Sequence, residues 1–143
     1  MRHFIQRYAF IVFLFVTFTA DAFEQTQAIK AETFLKAQTS WDGTPIVYPT
    51  GKPEITGMMI EIAPGAETGW HSHPVSSFGM LLQGELEVVL KNGQKKLMKT
   101  GDSVVEVSNT LHNGKNVGNV PVKIIVFYAG QAEQALTVKE TNQ

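Results

Sequence analysis

Residues 78–101 read FGMLLQGELEVVLKNGQKKLMKTG. Three short runs stand out: Phe78 to Leu82, Leu86 to Leu90 and Lys95 to Lys99. Gln83-Gly84 separates the first two, Asn92-Gly93 the second pair, and Gly101 ends the third. Asn-Gly between two strand-like runs is the strongest short-range hairpin signal, because both residues accept positive φ. The same rhythm continues on both sides. Upstream, Ile55 to Ala63 carries apolar residues at 58, 60 and 62, a period of two, and stops at Pro64-Gly65. Downstream, Val104 to Val107 precedes Ser108-Asn109, Val122 to Tyr128 ends at Ala129-Gly130, and a last strand is expected over Ala135 to Lys139. A further short strand is expected near Ile29 to Leu35, before the turn-rich Trp41-Asp42-Gly43-Thr44-Pro45. No stretch after residue 22 has the apolar spacing of a long amphipathic helix. Short strands punctuated by Gly and Pro predict an all-β, small antiparallel β-barrel or sandwich.

The first residues follow a different rule. Arg2 and Arg7 precede Ala9 to Ala20, AFIVFLFVTFTA, twelve residues without a charge. Ala20-Asp21-Ala22 then offers small residues in an A-x-A pattern. A basic start, a short apolar run and a small-residue site predict a secretory signal peptide over 1–22, cleaved near Ala22. The expected mature protein is exported, periplasmic or secreted, with no stable membrane anchor. Its layout is an N-terminal strand segment over 23–50 packing on a barrel over 51–143.

The 143-residue chain is long enough for one ordinary domain. Beyond residue 22 it holds ten lysines, no arginine and twelve acidic residues, a net charge of −2. No basic stripe runs along it, so nucleic acid is not an expected partner. Without arginine, bidentate grip of a carboxylate or phosphate is unavailable, which favours a small uncharged organic ligand. There is no cysteine, which excludes disulfides and thiolate metal sites. Any metal must be held by His, Asp, Glu or Met.

Three histidines remain after residue 22: His71, His73 and His112. Two of them form Trp70-His71-Ser72-His73. On a strand, residues i and i+2 face the same side, so both imidazoles can approach one ion. An H-x-H pair alone is a weak signal, and many such pairs bind nothing. The surrounding glycines add weight. Gly65-Ala66-Glu67-Thr68-Gly69-Trp70-His71-Ser72-His73, with Gly84 beyond, resembles the first motif of the cupin superfamily, G-x5-H-x-H-x3or4-E-x6-G. Gly101 to Asn116 resembles its second motif, G-x5-P-x-G-x2-H-x3-N. Gly101, His112 and Asn116 match there, while Val107 stands at the proline and Asn109 at the second glycine. Asn accepts positive φ, so that departure is tolerable.

The resemblance covers roughly Lys52 to Gly130. It implies a jelly-roll barrel with one divalent metal ion near its mouth, held by His71, His73 and His112. It also implies a homodimer, and oxygenase chemistry ahead of isomerase or lyase chemistry. The family's glutamate falls here on Ser77, a poor ligand, and Gly79 shares its inward face. Two small residues leave room for water or substrate beside the ion, as catalytic sites do. A three-histidine set suits iron, zinc, copper or nickel. Glu106, the one charge in Val104 to Val107, is the candidate acid/base or fourth ligand if it faces inward; alternation leaves its direction open. Glu67 reads as a solvated loop residue, and Asn116 as structural. Trp70 reads as packing, and Phe78, Phe127 and Tyr128 as core. Met58, Met80 and Met98 read as packing ahead of copper ligation. The alternative to an enzyme is a non-catalytic metal- or small-ligand-binding module.

Overall fold

Period-two alternation sets the longest ladder of the fold. In the computed structural model, which describes residues 29–141, β1 (Pro53–Ile62) pairs antiparallel with β8 (Val122–Gln131). The intervening strands are β2 (His71–Ser72), β3 (Ser76–Gln83), β4 (Glu85–Leu90), β5 (Lys95–Lys99), β6 (Ser103–Val105) and β7 (His112–Asn116), and β9 (Val138–Lys139) follows. They form two antiparallel sheets, ordered β1-β8-β3-β6 and β5-β4-β7-β2-β9. This is the expected all-β jelly roll. The expected signal peptide over 1–22 and its cleavage site lie outside the described residues. Among the described residues no helix is long and apolar enough to cross a membrane.

The core lies between the sheets. Val122, Ile124, Val126 and Tyr128 alternate inward along β8, facing Leu86 and Val88 of β4, and Val104 of β6 joins them from their own sheet in one buried cluster. The hairpin read at Asn92-Gly93 joins β4 to β5. Gly93 takes φ +89° and its N–H donates to Leu90 O at 3.0 Å. Gly84, between β3 and β4, combines φ +90° with a close approach: a Cβ there would lie 3.0 Å from Pro121 O. Asn109 adopts φ 55°, the left-handed conformation that its place in the second motif requires.

The expected strand near Ile29 to Leu35 is not formed. A strand there would put Ile29, Ala31 and Leu35 on one face and Phe34 on the other. Ile29 and Phe34 are both exposed. Among the described residues before β1, the one β-bridge joins Thr39 to Pro45. The turn between them and the residues just after it dock by other means: Trp41 N–H donates to Val105 O at 3.1 Å, and Ser76 Oγ donates to Val47 O at 3.0 Å.

Parity also corrects two core readings, Phe78 and Phe127. Gly57 pairs with Phe127, and Phe78 pairs with Phe127, on the face opposite Tyr128. Phe127 is therefore outward and 47% exposed, whereas Tyr128 is 3% exposed. Met98 is buried in the core, as expected of packing.

Candidate metal centre

His71 and His112 are brought together by register: they are direct cross-strand partners in the β2–β7 ladder. His73 lies just past β2, where Asn109 N–H donates to its carbonyl at 2.8 Å. The ring centroids stand 4.3 Å (His71–His112), 4.9 Å (His71–His73) and 5.0 Å (His73–His112) apart. One ring nitrogen from each lies within 4.8 Å of the others. His73 and His112 are buried and His71 is half-buried.

Each ring is fixed from behind by a backbone carbonyl. Nδ1 donates to Gly69 O at 2.7 Å in His71, to Leu136 O at 2.9 Å in His73 and to Thr110 O at 2.8 Å in His112. A proton on Nδ1 leaves the Nε2 lone pair free, the arrangement that orients an imidazole for a metal. Burial lowers the pKa of His71, and that of His73 to about 4 with help from the neighbouring imidazoles. The neutral form, which metals require, is thus the resting form. The donor set fits a divalent ion of the borderline metals.

A cavity of about 180 Å³ opens beside the cluster. Its walls include Met58, Ile60 and Ile62 of β1, Val88 of β4, and Ile124 and Val126 of β8. Ser77, Glu106 and Tyr128 also line it, and they share one row of the sheet. Ser77 is the register partner of Tyr128, and Glu106 N–H donates to Ser77 O at 3.0 Å on the other side. Ser77 is 1% exposed, and no group hydrogen-bonds its Oγ. Gly79 lines the same wall. Tyr128 stacks edge-on against His73 at 5.3 Å, and its pKa is raised by burial and then by the Glu106 charge.

Glu106 lies on the cavity but outside the three-histidine group. Its Oε1 accepts from Trp41 Nε1 at 2.8 Å and from Val107 N–H at 2.9 Å. Trp41 is thus a site residue that the sequence reading treated only as part of a turn, and no local pattern points from it to residue 106. Tyr128 was readable: strand parity carries the inward set Val122, Ile124, Val126 on to 128. The remaining candidates sit away from the chemistry. Glu67 is exposed and pairs with Lys115 at 2.9 Å. Trp70 carries Lys91 Nζ over its ring at 4.0 Å. Asn116 is fully buried, donating to Ile62 O and Val120 O at 2.8 Å and accepting from Gly118 N–H at 3.0 Å.

Comparison with known proteins agrees with this architecture. The cupin domain family matches residues 58–128. A biosynthesis-cluster protein of Aspergillus oryzae, oryzines biosynthesis cluster protein J, is 40% identical over 77 residues, 54% of this chain and 42% of its own. A Neurospora crassa protein named cupin-domain-containing oxidoreductase srdD is 31% identical over 70 residues, 47% of this chain and 35% of its own. The matches therefore span less than half the length of these relatives. Among solved structures, a Klebsiella pneumoniae protein with a double-stranded β-helix domain superposes with TM-score 0.51 at 23% identity, covering 66% of this chain and 91% of that one. The DMSP lyase DddQ of Ruegeria pomeroyi superposes with TM-score 0.52 at 22% identity, covering 59% and 42%. At such identities the likeness is one of fold. The chain belongs to the cupin superfamily.

Proposed function

We propose that this protein is an exported, metal-dependent cupin that acts on a small uncharged organic molecule, with oxygenase-type chemistry the leading reaction. One observation carries the reading: three imidazoles, each with Nδ1 bonded to a backbone carbonyl, converge beside a mostly aliphatic cavity. His71, His73 and His112 are the ligands, and iron, zinc, copper and nickel all suit them. A divalent ion bound there would supply Lewis-acid or redox chemistry to a molecule in the cavity. Glu106 is the acid/base group. Trp41 holds one carboxylate oxygen, which fixes the position of the group. The name of the Neurospora relative supports the oxidoreductase class. Export rests on the basic, apolar and small-residue order of residues 1–22.

A homodimer is the expected assembly, with a second copy on the outer face of the β1-β8-β3-β6 sheet. Ile55, Met59 and Phe127 support it, since all three are large, apolar and exposed on that face. The alternative, a binding module without turnover, is favoured by one feature. Among the described residues Glu106 is the one carboxylate lining the cavity, and its Oε1 already takes two donors.

Elemental analysis of protein purified without a histidine tag tests the metal. Near one equivalent, with iron or copper present, supports the oxygenase reading and directs oxygen-uptake assays. Zinc favours hydrolytic or binding roles. No metal after reconstitution with any of the four ions removes the proposal.

A further inference from the structure

Ser77 stands where the superfamily keeps its glutamate, and its surroundings give it a task of its own. Its hydroxyl is buried, 1% exposed, and no protein group satisfies it. A buried hydroxyl without a partner destabilises a fold, so an alanine there would suit the empty barrel better. The hydroxyl sits on the cavity wall, between Tyr128 on one neighbouring strand and Glu106 on the other. Both hydrogen bonds that Glu106 accepts go to Oε1, and neither uses Oε2. The rest of the wall is largely aliphatic, including Ile60, Ile62, Val88 and Val126, and among the described residues no lysine lines it. The volume is about 180 Å³. An apolar cavity of about 150 Å³ takes one benzene ring.

We propose that Ser77 is a specificity-determining residue whose hydroxyl anchors the oxygen of a small neutral hydroxyl compound of about one ring, an alcohol, enol or phenol. The ligand's hydroxyl both donates and accepts, which matches a serine hydroxyl beside a carboxylate. Its hydrocarbon part fills the aliphatic end. An anion finds no cationic side chain on the wall and meets the Glu106 charge instead. The substrate class rests on the cavity being the working site; the anchor itself is independent of the metal.

The test therefore uses metal-free protein kept in chelator, with phenol, toluene and benzoate as probes followed by NMR titration. Phenol is expected to saturate the cavity and to bind about three- to tenfold more tightly than toluene, the worth of one hydrogen bond. Benzoate should bind most weakly. Ser77→Ala should bring phenol down to the affinity of toluene, leave toluene unchanged, and raise the melting temperature. That opposite movement of stability and affinity is not expected of a residue that merely packs. Equal binding of phenol and toluene by the parent would overturn the proposal. So would undiminished phenol binding by Ser77→Ala, tighter binding of benzoate, or no binding of any probe. A protein that takes up no metal yet passes this test would lose the oxygenase reading and keep the anchor.

Discussion

The two sheets of this barrel are built from the same kind of strand and treat their outer faces in opposite ways. On the β5-β4-β7-β2-β9 sheet the outward positions include Glu85 opposite Lys99, Glu87 opposite Lys115, and a Glu87–Lys95 ion pair at 3.3 Å. Leu97 and Val138 are the exposed large apolar residues among them, at 52% and 50%, and they lie on different strands. On the β1-β8-β3-β6 sheet the outward positions hold Ile55, Met59, Phe78, Ile125 and Phe127, with one ion pair, Glu61–Lys123, at the margin. A sheet with one face in water normally alternates apolar and polar residues. The first sheet follows that rule and the second departs from it. Their inner faces divide the work too. The five-stranded sheet and its flank present the histidines, while the four-stranded sheet supplies Ser77 and Tyr128, with Glu106 continuing the row. One sheet carries the imidazoles, and the other carries the polar row across the cavity from them.

The division can be broken from the histidine side first. His71→Ala with His112→Ala should lose metal by more than about a hundredfold, since removing even the group behind a ligand costs ten- to a hundredfold. Competition with a chromogenic chelator measures this, and a double variant that keeps parental affinity ends the three-histidine assignment. Acid attacks the same sheet in metal-free protein. The His73 pKa falls from 6.5 in the unfolded chain to about 4 in the folded one. Between those values the unfolded chain binds more protons. Its share of stability, about 3 kcal/mol, is therefore present above pH 6.5 and drains away as pH falls toward 4. Urea unfolding of the parent and of His73→Gln across this range isolates the contribution; identical slopes would remove it.

The outer faces give the next contrast. Met59→Lys with Phe127→Lys should weaken self-association by about a hundredfold, whereas Leu97→Lys on the other sheet should leave it unchanged. Sedimentation velocity reads both, and a parent that is monomeric at micromolar concentration disposes of the dimer. The smallest effect belongs to the seam where the N-terminal turn meets β6. Trp41→Phe removes the Nε1–H donated to Glu106 and should cost about 1.5 kcal/mol, the scale of a hydrogen bond to a charged group. A melting curve that does not move would show that Glu106 finds another donor.

Much of this was legible in the sequence because it is local. The β4–β5 hairpin follows from Asn92-Gly93, and β8 from a β-branched run that alternates cleanly from Val122. The histidines were readable by spacing and by resemblance. What escaped is held by long-range pairing. β7 reads HNGKN and β2 reads HS, neither with any strand pattern; they are strands because ladders on either side complete their hydrogen bonds. The Trp41–Glu106 contact joins residues 65 apart. Phe127 is outward by parity with Val126 and Tyr128, a signal that its aromatic character masks.

The carbonyl behind His73 belongs to Leu136, and Thr137 and β9 follow at once, β9 pairing with β2. Every ligand lies earlier in the chain than this strap. A chain shortened before Leu136 would keep all three imidazoles, but His73 would have no carbonyl behind its Nδ1. Its His71 and His112 rings would still be held by Gly69 and Thr110, so losing the strap would loosen one ring of the three and leave the other two aimed.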